Sequence, residues 1–249
     1  MFFKRKKKGA AEVTVVGRSD PKESGIRFVE ADLSTVKAQT ALASSLGAFD
    51  LILFTQGIIC GPTRKDNGEG IEMDLAVSYL GRRVILDILR EKGGVKGRVF
   101  IMGYPGDDLE IKNWNTLDET KYGLLEQHMN TIVANEALVL GYRSRFPNIE
   151  IFGLNPGLVQ TGIRAGAYEG VFRYIGPVLE LFISACFPSA DEYAEAIFPA
   201  LSADVLDKKV ISFNPTSLPV RVNPKLTEQV IDQVWSDSEK LIAVANKKN

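Results

Sequence analysis

The sequence predicts an α/β domain of doubly wound type, built on a parallel sheet. Three observations predict it. Short runs rich in β-branched and aromatic residues alternate with longer stretches of helical spacing, the pattern of successive βαβ units. Two of those runs, Asp50 to Thr55 (DLILFT) and Arg98 to Met102 (RVFIM), are apolar nearly throughout, as strands covered on both faces should be. Glycine, proline and asparagine cluster just after the runs, where chain reversal is needed.

The elements follow in order. Glu12 to Val16 reads as a short strand ended by Gly17, and Ile26 to Glu30 as a second strand. Ser34 is the expected N-cap of a helix from Thr35 to Leu46. After DLILFT comes a Gly/Pro/Asn-rich loop from Gly57 to Gly70, then a long helix from Ile71 to Glu91. RVFIM is closed by Gly103-Tyr104-Pro105-Gly106, and Tyr122 to Ser144 is a second long helix. Glu150 to Leu154 is a strand ended by Asn155-Pro156-Gly157, Asp191 to Leu201 a helix, Lys209 to Phe213 the last strand, and Thr227 to Ala245 an amphipathic closing helix. A chain of 249 residues with 45% hydrophobic content can bury one sizeable core, so residues 1–249 read as a single domain.

Composition narrows the function classes. A net charge of −1 gives no overall basic field for nucleic acid and no acidic excess of a disordered chain. The opening residues Met-Phe-Phe-Lys-Arg-Lys-Lys-Lys lack the apolar core of a secretory signal. Their basic run could touch anionic lipid or RNA, but a solvated chain end is the plainer reading. The longest apolar stretch, Gly170 to Pro188, is broken by Arg173, Gly176, Pro177 and Glu180, so no membrane span is expected. Two distant cysteines, Cys60 and Cys186, make neither a disulfide framework nor a typical zinc site, which points to a reducing, cytoplasmic setting and no metal.

In open parallel sheets ligands sit beyond the carboxyl ends of the strands. The residues there, from Gly9 onward, resemble the short-chain dehydrogenase/reductase family, in particular its retinol-dehydrogenase-like branch. Gly9 to Ser19 looks like the family's second strand and turn, Ala31-Asp32-Leu33 like its adenine-framing Asp-Leu pair, and Glu72 to Gly81 like its central helix. Val133-Ala134-Asn135-Glu136 looks like the stretch after the active-site lysine, and Asn155 to Thr161 like the Pro-Gly…Thr segment beside nicotinamide. The resemblance implies a Rossmann-like fold, an oxidoreductase activity and a nicotinamide cofactor. Its cofactor-side residues would be Arg18, Ser19, Asp32, Leu33, Gly57, Pro156, Gly157 and Thr161. A guanidinium at position 18 suits a 2′-phosphate, hence NADP, or else serves as a surface turn residue. Asp32 accepts the adenine amino group or helps cap the next helix; Thr161 bonds the carboxamide or is a loop hydroxyl.

Three departures qualify this. The family's opening strand, Gly-rich turn and first helix have no counterpart, so the first βα unit is expected to be missing and two strand edges to face a gap. The catalytic set is replaced: His128 stands at the tyrosine position, Ile132 at the lysine, Tyr104 at the serine and Ser78 at the helix asparagine. The Asn-Asn-Ala-Gly-like turn reads Thr55-Gln56-Gly57, a milder change that keeps the glycine. Tyr122 is an alternative acid, with Glu126 expected to raise its pKa. His128, the only histidine, could exchange protons near neutral pH, but no third group orienting the imidazole is visible in the sequence. The stretch Ala165 to Pro188 corresponds to the family's substrate lid, and its apolar residues suggest a bulky apolar small-molecule ligand, an oligomer contact (a homo-oligomer included) or plain core. The expected functions are therefore an NADP-dependent oxidoreductase of an apolar carbonyl or alcohol with impaired hydride transfer, a cofactor-independent lyase or isomerase using His128 and Tyr104, or a non-catalytic binding pseudo-enzyme.

Overall fold

The computed structural model describes residues 12–112, 114, 122–160, 163, 176, 181–183, 186–203, 206–207 and 209–248. Strands β1 (Val13–Gly17) and β2 (Ile26–Glu30) pair in parallel and lead into α1 (Val36–Ser45). Strand β3 (Phe49–Phe54) is followed by the single turn α2 (Met73–Leu75), a π-turn over Ala76–Leu80 and α3 (Gly81–Glu91), which together form one continuous helical rod. Then come β4 (Val95–Met102), α4 (Leu124–Arg145), β5 (Glu150–Leu154), α5 (Ala190–Ser202), β6 (Ser212–Phe213), β7 (Pro219–Val220) and α6 (Glu228–Lys248). The strands β3-β4-β5-β6 form a parallel sheet that β7 closes in antiparallel sense. The mixed α/β architecture agrees with the sequence.

Strand alternation divides the core. Val99 and Ile101 of β4 and Ile151 of β5 face α1, α3, α4 and α6 on the larger side, which Val16, Val29 and Ile52 also join. Phe100, Phe152 and Leu154 point the other way, against Tyr193, Ile197 and Leu201 of α5. Long-range side-chain bonds tie the parts together. The Glu69 carboxylate accepts from the first amides of α1, Val36 N at 2.7 Å and Lys37 N at 3.2 Å. Lys92 donates to Ala43 O, Ser44 O and Leu46 O at the other end of α1. The Tyr79 hydroxyl meets Ser238 Oγ of α6 at 2.8 Å, with both residues buried.

Several expectations need correction. Thr35, not Ser34, caps α1, because Thr35 Oγ1 accepts from Ala38 N while Ser34 is held in a turn by Asp32. Strand β3 is not covered on both faces: Asp50 and Leu51 are exposed, Leu51 at 44%. Among the described residues no strand joins β1 to β3, so the sheet stands in two pieces, and Val13 on β1 is likewise 41% exposed. On that side, among the described residues, α5 covers the sheet and packs on β4 to β6. The expected last strand shortens to Ser212–Phe213, and β7 was not foreseen because two residues carry no periodicity. The long helix begins at Met73 and passes through a π-turn, a bulge type that often marks functional sites.

Candidate active site

The π-turn sets the site. It places Asp74 and Ser78 beneath the first turns of α4, and Asn135 of α4 locks the two helices by donating to Ser78 O at 2.9 Å. Asp74 is buried, with its side chain only 2% exposed, and both carboxylate oxygens are engaged. Ser78 Oγ donates to Oδ1 at 2.5 Å, and His128 Nδ1 lies 2.8 Å from Oδ2. Ile58 N donates to Ser78 Oγ at 3.0 Å, which fixes the hydroxyl from the loop after β3. An ionised carboxylate only accepts, so Nδ1 carries the hydrogen and Nε2 is the unprotonated nitrogen of the neutral ring. The imidazole side chain is 15% exposed, and among the described residues Nε2 has no partner. The arrangement is a carboxylate-oriented imidazole able to take or give a proton at Nε2.

The orienting group that the sequence did not reveal is therefore Asp74. A signal existed: Asp74 and Ser78 are four residues apart, on one helix face, within the otherwise largely apolar stretch MDLAVSYL. A carboxylate there is buried and must be partnered.

Other polar groups surround the dyad. Glu72 is fully buried, caps α2 by accepting from Leu75 N at 2.8 Å, and accepts from the Tyr122 hydroxyl at 3.4 Å. Burial, reinforced by Asp74, pushes the Glu72 carboxyl above its ordinary range. Tyr122 is also pushed up, by burial first and by Glu72 next. Cys60, buried beside Glu72 and Asp74, is pushed up to about 12, chiefly by desolvation. The Arg82 guanidinium lies across the carboxyl ends of two strands, donating to Gln56 O after β3 and Met102 O at the end of β4. Burial works against its charge and Asp74 supports it.

The remaining expected site residues are dispersed. Tyr104 follows β4 but has no hydrogen-bond partner among the described residues, so the expected His128–Tyr104 pair is not joined. Ile132, one turn beyond His128 on α4, offers no charge. Gly57 sits against the site, since a Cβ there would come within 3.6 Å of Ser78 Oγ and 3.8 Å of Arg82. Arg18 and Ser19 are exposed just beyond β1. Asp32 accepts from Ser34 N at 3.0 Å, the helix-leading alternative of its two readings. Leu33 packs on the larger core and its carbonyl accepts from Gln39. Beyond β5, Gly157 takes φ +63° and donates to Asn155 Oδ1 at 2.9 Å, a turn only glycine adopts without strain, and Pro156 precedes it in the same turn. Thr161 lies outside the described residues, as do Tyr168, Phe172, Tyr174 and Leu179 of the expected lid. Leu181 and Phe182 of that stretch are exposed.

The parallel sheet flanked by helices, with polar groups gathered at its carboxyl rim, defines an α/β protein of the doubly wound class. A Saccharomyces cerevisiae protein named as an uncharacterized oxidoreductase is 35% identical over 257 aligned residues, covering 94% of this chain and 81% of that protein. The chain belongs to the family of that oxidoreductase, and it shares the fold of solved short-chain dehydrogenases. No family model matches it. Among solved structures, an uncharacterized protein from Mycobacterium paratuberculosis superposes with a TM-score of 0.64 at 16% identity, over 93% of this chain and 84% of that one. An NADPH-bound carbonyl reductase from chicken fatty liver superposes with a TM-score of 0.53 at 16% identity, over 84% of this chain and 87% of that one. A serine dehydrogenase complexed with NADP+ gives 0.54 at 15% identity, over 82% and 84%. These likenesses establish the shared fold. No helix among the described residues is long and apolar enough to cross a membrane.

Proposed function

We propose that this chain is an NADP(H)-dependent oxidoreductase of an apolar carbonyl or alcohol, in which the His128–Asp74 dyad performs the proton transfer. The observation that carries the reading is the 2.8 Å contact between His128 Nδ1 and Asp74 Oδ2, which holds Nε2 as the free base. In its protonated form the same nitrogen donates to a carbonyl oxygen, and Asp74 stabilises the imidazolium left after proton uptake. Residues fitting the cofactor stand at both of its ends: Arg18, an exposed guanidinium beyond β1, for a 2′-phosphate, and Gly57 with Asn155-Pro156-Gly157 on the nicotinamide side. When bound, the cofactor would supply the hydride. Ile132 gives no ammonium to hold a ribose or tune the acid, so hydride transfer is expected to be slow.

Titration calorimetry with NADPH tests the reading. Binding tighter than about 100 μM, roughly −5.5 kcal/mol, supports it, and Arg18→Ala should weaken NADPH but not NADH. Absence of NADPH binding in that range removes it. A second reading, a cofactor-independent lyase or isomerase, is favoured by one observation. Gly68 and Gly70 serve a turn around the Asp66 carboxylate, and no glycine-rich phosphate turn occurs among the described residues. It requires turnover without nicotinamide that His128→Ala abolishes.

A further inference from the structure

We propose that Ser238, on the closing helix α6, is a positioning residue of the site: through Tyr79 it holds the π-turn in the register that sets Asp74 and Ser78 against His128. The inference rests on the dyad reading and adds to it a part of the chain that touches none of the reacting groups. Tyr79 and Ser238 are 159 residues apart and both fully buried, and their oxygens lie 2.8 Å from each other. Ser238 Oγ gives its hydrogen to Val234 O at 2.6 Å, so the Tyr79 hydroxyl donates to Ser238 Oγ. One turn further along the rod, Arg83 donates to Trp235 O at 2.7 Å and pairs with Glu239 at 3.2 Å. Its guanidinium lies 4.0 Å from the centre of the Trp235 ring. Tyr79 and Arg83 are four residues apart, and Trp235 stands three and four residues before Ser238 and Glu239. One face of α6 therefore grips one face of the rod at the end of the π-turn.

The register matters because a π-turn carries one residue more than an α-helical turn would. If it relaxed to α-helix, the side chains before it would rotate against those after it by about 100°, the angle between successive residues. Ser78 Oγ could then not stay between Ile58 N and Asp74 Oδ1 while Tyr79 stayed on Ser238. Three buried bonds are made in the present register. Gln39 of α1 donates to Ala76 O at 3.1 Å, Asn135 of α4 donates to Ser78 O at 2.9 Å, and Tyr79 donates to Ser238 Oγ. The first two hold backbone carbonyls, which any residue supplies. The third holds a side chain of the turn, and so fixes which residue faces α6.

The single imidazole is the reporter: its Nδ1–H signal in the proton NMR spectrum of the full chain, and the rate at which that proton exchanges with solvent. Tyr79→Phe and Ser238→Ala should each speed the exchange about threefold to tenfold, the weight of one hydrogen bond on a local opening equilibrium. Ile197→Val, in the opposite core, should lower Tm to a comparable degree and leave the exchange unchanged. The paired variant Tyr79→Phe/Ser238→Ala separates positioning from packing. With both partners apolar, Tm should largely recover, while the exchange stays fast because the bond that selects the register is still missing. Exchange that returns with Tm in the paired variant, or that is unchanged in Tyr79→Phe, overturns the role of Ser238; Tyr79→Phe decides even where Ser238→Ala fails to fold. Asp74→Asn tells this inference from the dyad reading. If it shifts the signal and Tyr79→Phe changes nothing, the dyad remains and the α6 contact only packs; if Asp74→Asn shifts nothing, both fall.

Discussion

Replacing Asp74 with asparagine removes one charge and almost no volume. In the wild type the carboxylate accepts from Ser78 Oγ at 2.5 Å and from His128 Nδ1 at 2.8 Å, in a setting where its side chain is 2% exposed. A hydrogen bond to a charged partner contributes about 1.5–3 kcal/mol, against about 0.5–1.5 kcal/mol for a neutral one. The serine hydroxyl can donate or accept and so adapts to an amide. The imidazolium cannot, and loses its counter-charge. At about 1.4 kcal/mol per decade, the lost stabilisation lowers the proton-transfer rate roughly tenfold to a hundredfold. Two measurements check this. Because His128 is the only histidine, its Nδ1–H gives one downfield proton signal, which in Asp74→Asn should move upfield and exchange faster with solvent. Steady-state NADPH oxidation with an apolar aldehyde should fall by the same factor in kcat. A variant with an unshifted Nδ1–H signal would show that Asp74 does not orient the ring, and the proton-transfer argument would fail with it.

Further outcomes follow from the same geometry. Ser78→Ala leaves Ile58 N and Asp74 Oδ1 without their buried partner and should destabilise the fold by about 1–3 kcal/mol in denaturant unfolding. Glu72 holds its proton more tightly folded than unfolded, so its contribution is most favourable below the ordinary value of 4.5 and declines as pH rises through the folded value. Glu72→Gln should therefore flatten the pH dependence of unfolding between the ordinary value and the higher folded one, with each unit of the original difference worth about 1.4 kcal/mol. Cys60, buried and pushed up to about 12, should resist alkylation at mildly alkaline pH while the exposed Cys186 reacts, giving a single adduct by mass spectrometry. Amides of β1 and β2, where no residue is fully buried, should exchange well before those of β4 and β5.

Periodicity made much of the fold legible. The apolar run in RVFIM correctly forecasts a strand covered on both faces, with Val99 and Ile101 in one core and Phe100 in the other. It failed in DLILFT, where an apolar run implied two covered faces. Covering depends on neighbours in space, and among the described residues no strand pairs with the edge of β3 away from β4, and Leu51 is left exposed. Cap identity failed for a similar reason. Ser34 and Thr35 are equivalent as local signals, and the choice is made by Asp32, Asn67 and Glu69 closing around the first turn of α1. The site was half legible. His128 and Ser78 could be picked out by position, but the bond that joins them runs through Asp74, 54 residues from His128. No spacing rule links a π-turn to the start of another helix.

The arrangement separates two functions by element. Asp74, Ser78, Gln56, Arg82 and His128 all hang from β3, β4 and the helices between and after them, in two hydrogen-bonded sets, Ile58–Ser78–Asp74–His128 and Gln56–Arg82–Met102. Arg18, Ser19 and Asp32 hang from β1 and β2, which pair with each other and reach the rest of the molecule through α1, Glu69 and the larger core. On the proposed function, changes in how β1 and β2 sit would act on the adenosine end of the nucleotide and leave the proton-handling groups in place. For the proposed chemistry, affinity for cofactor and competence in proton transfer become separately adjustable. The imidazole would stay oriented even when the nucleotide is held weakly, because nothing in the chain Ile58–Ser78–Asp74–His128 passes through the first two strands.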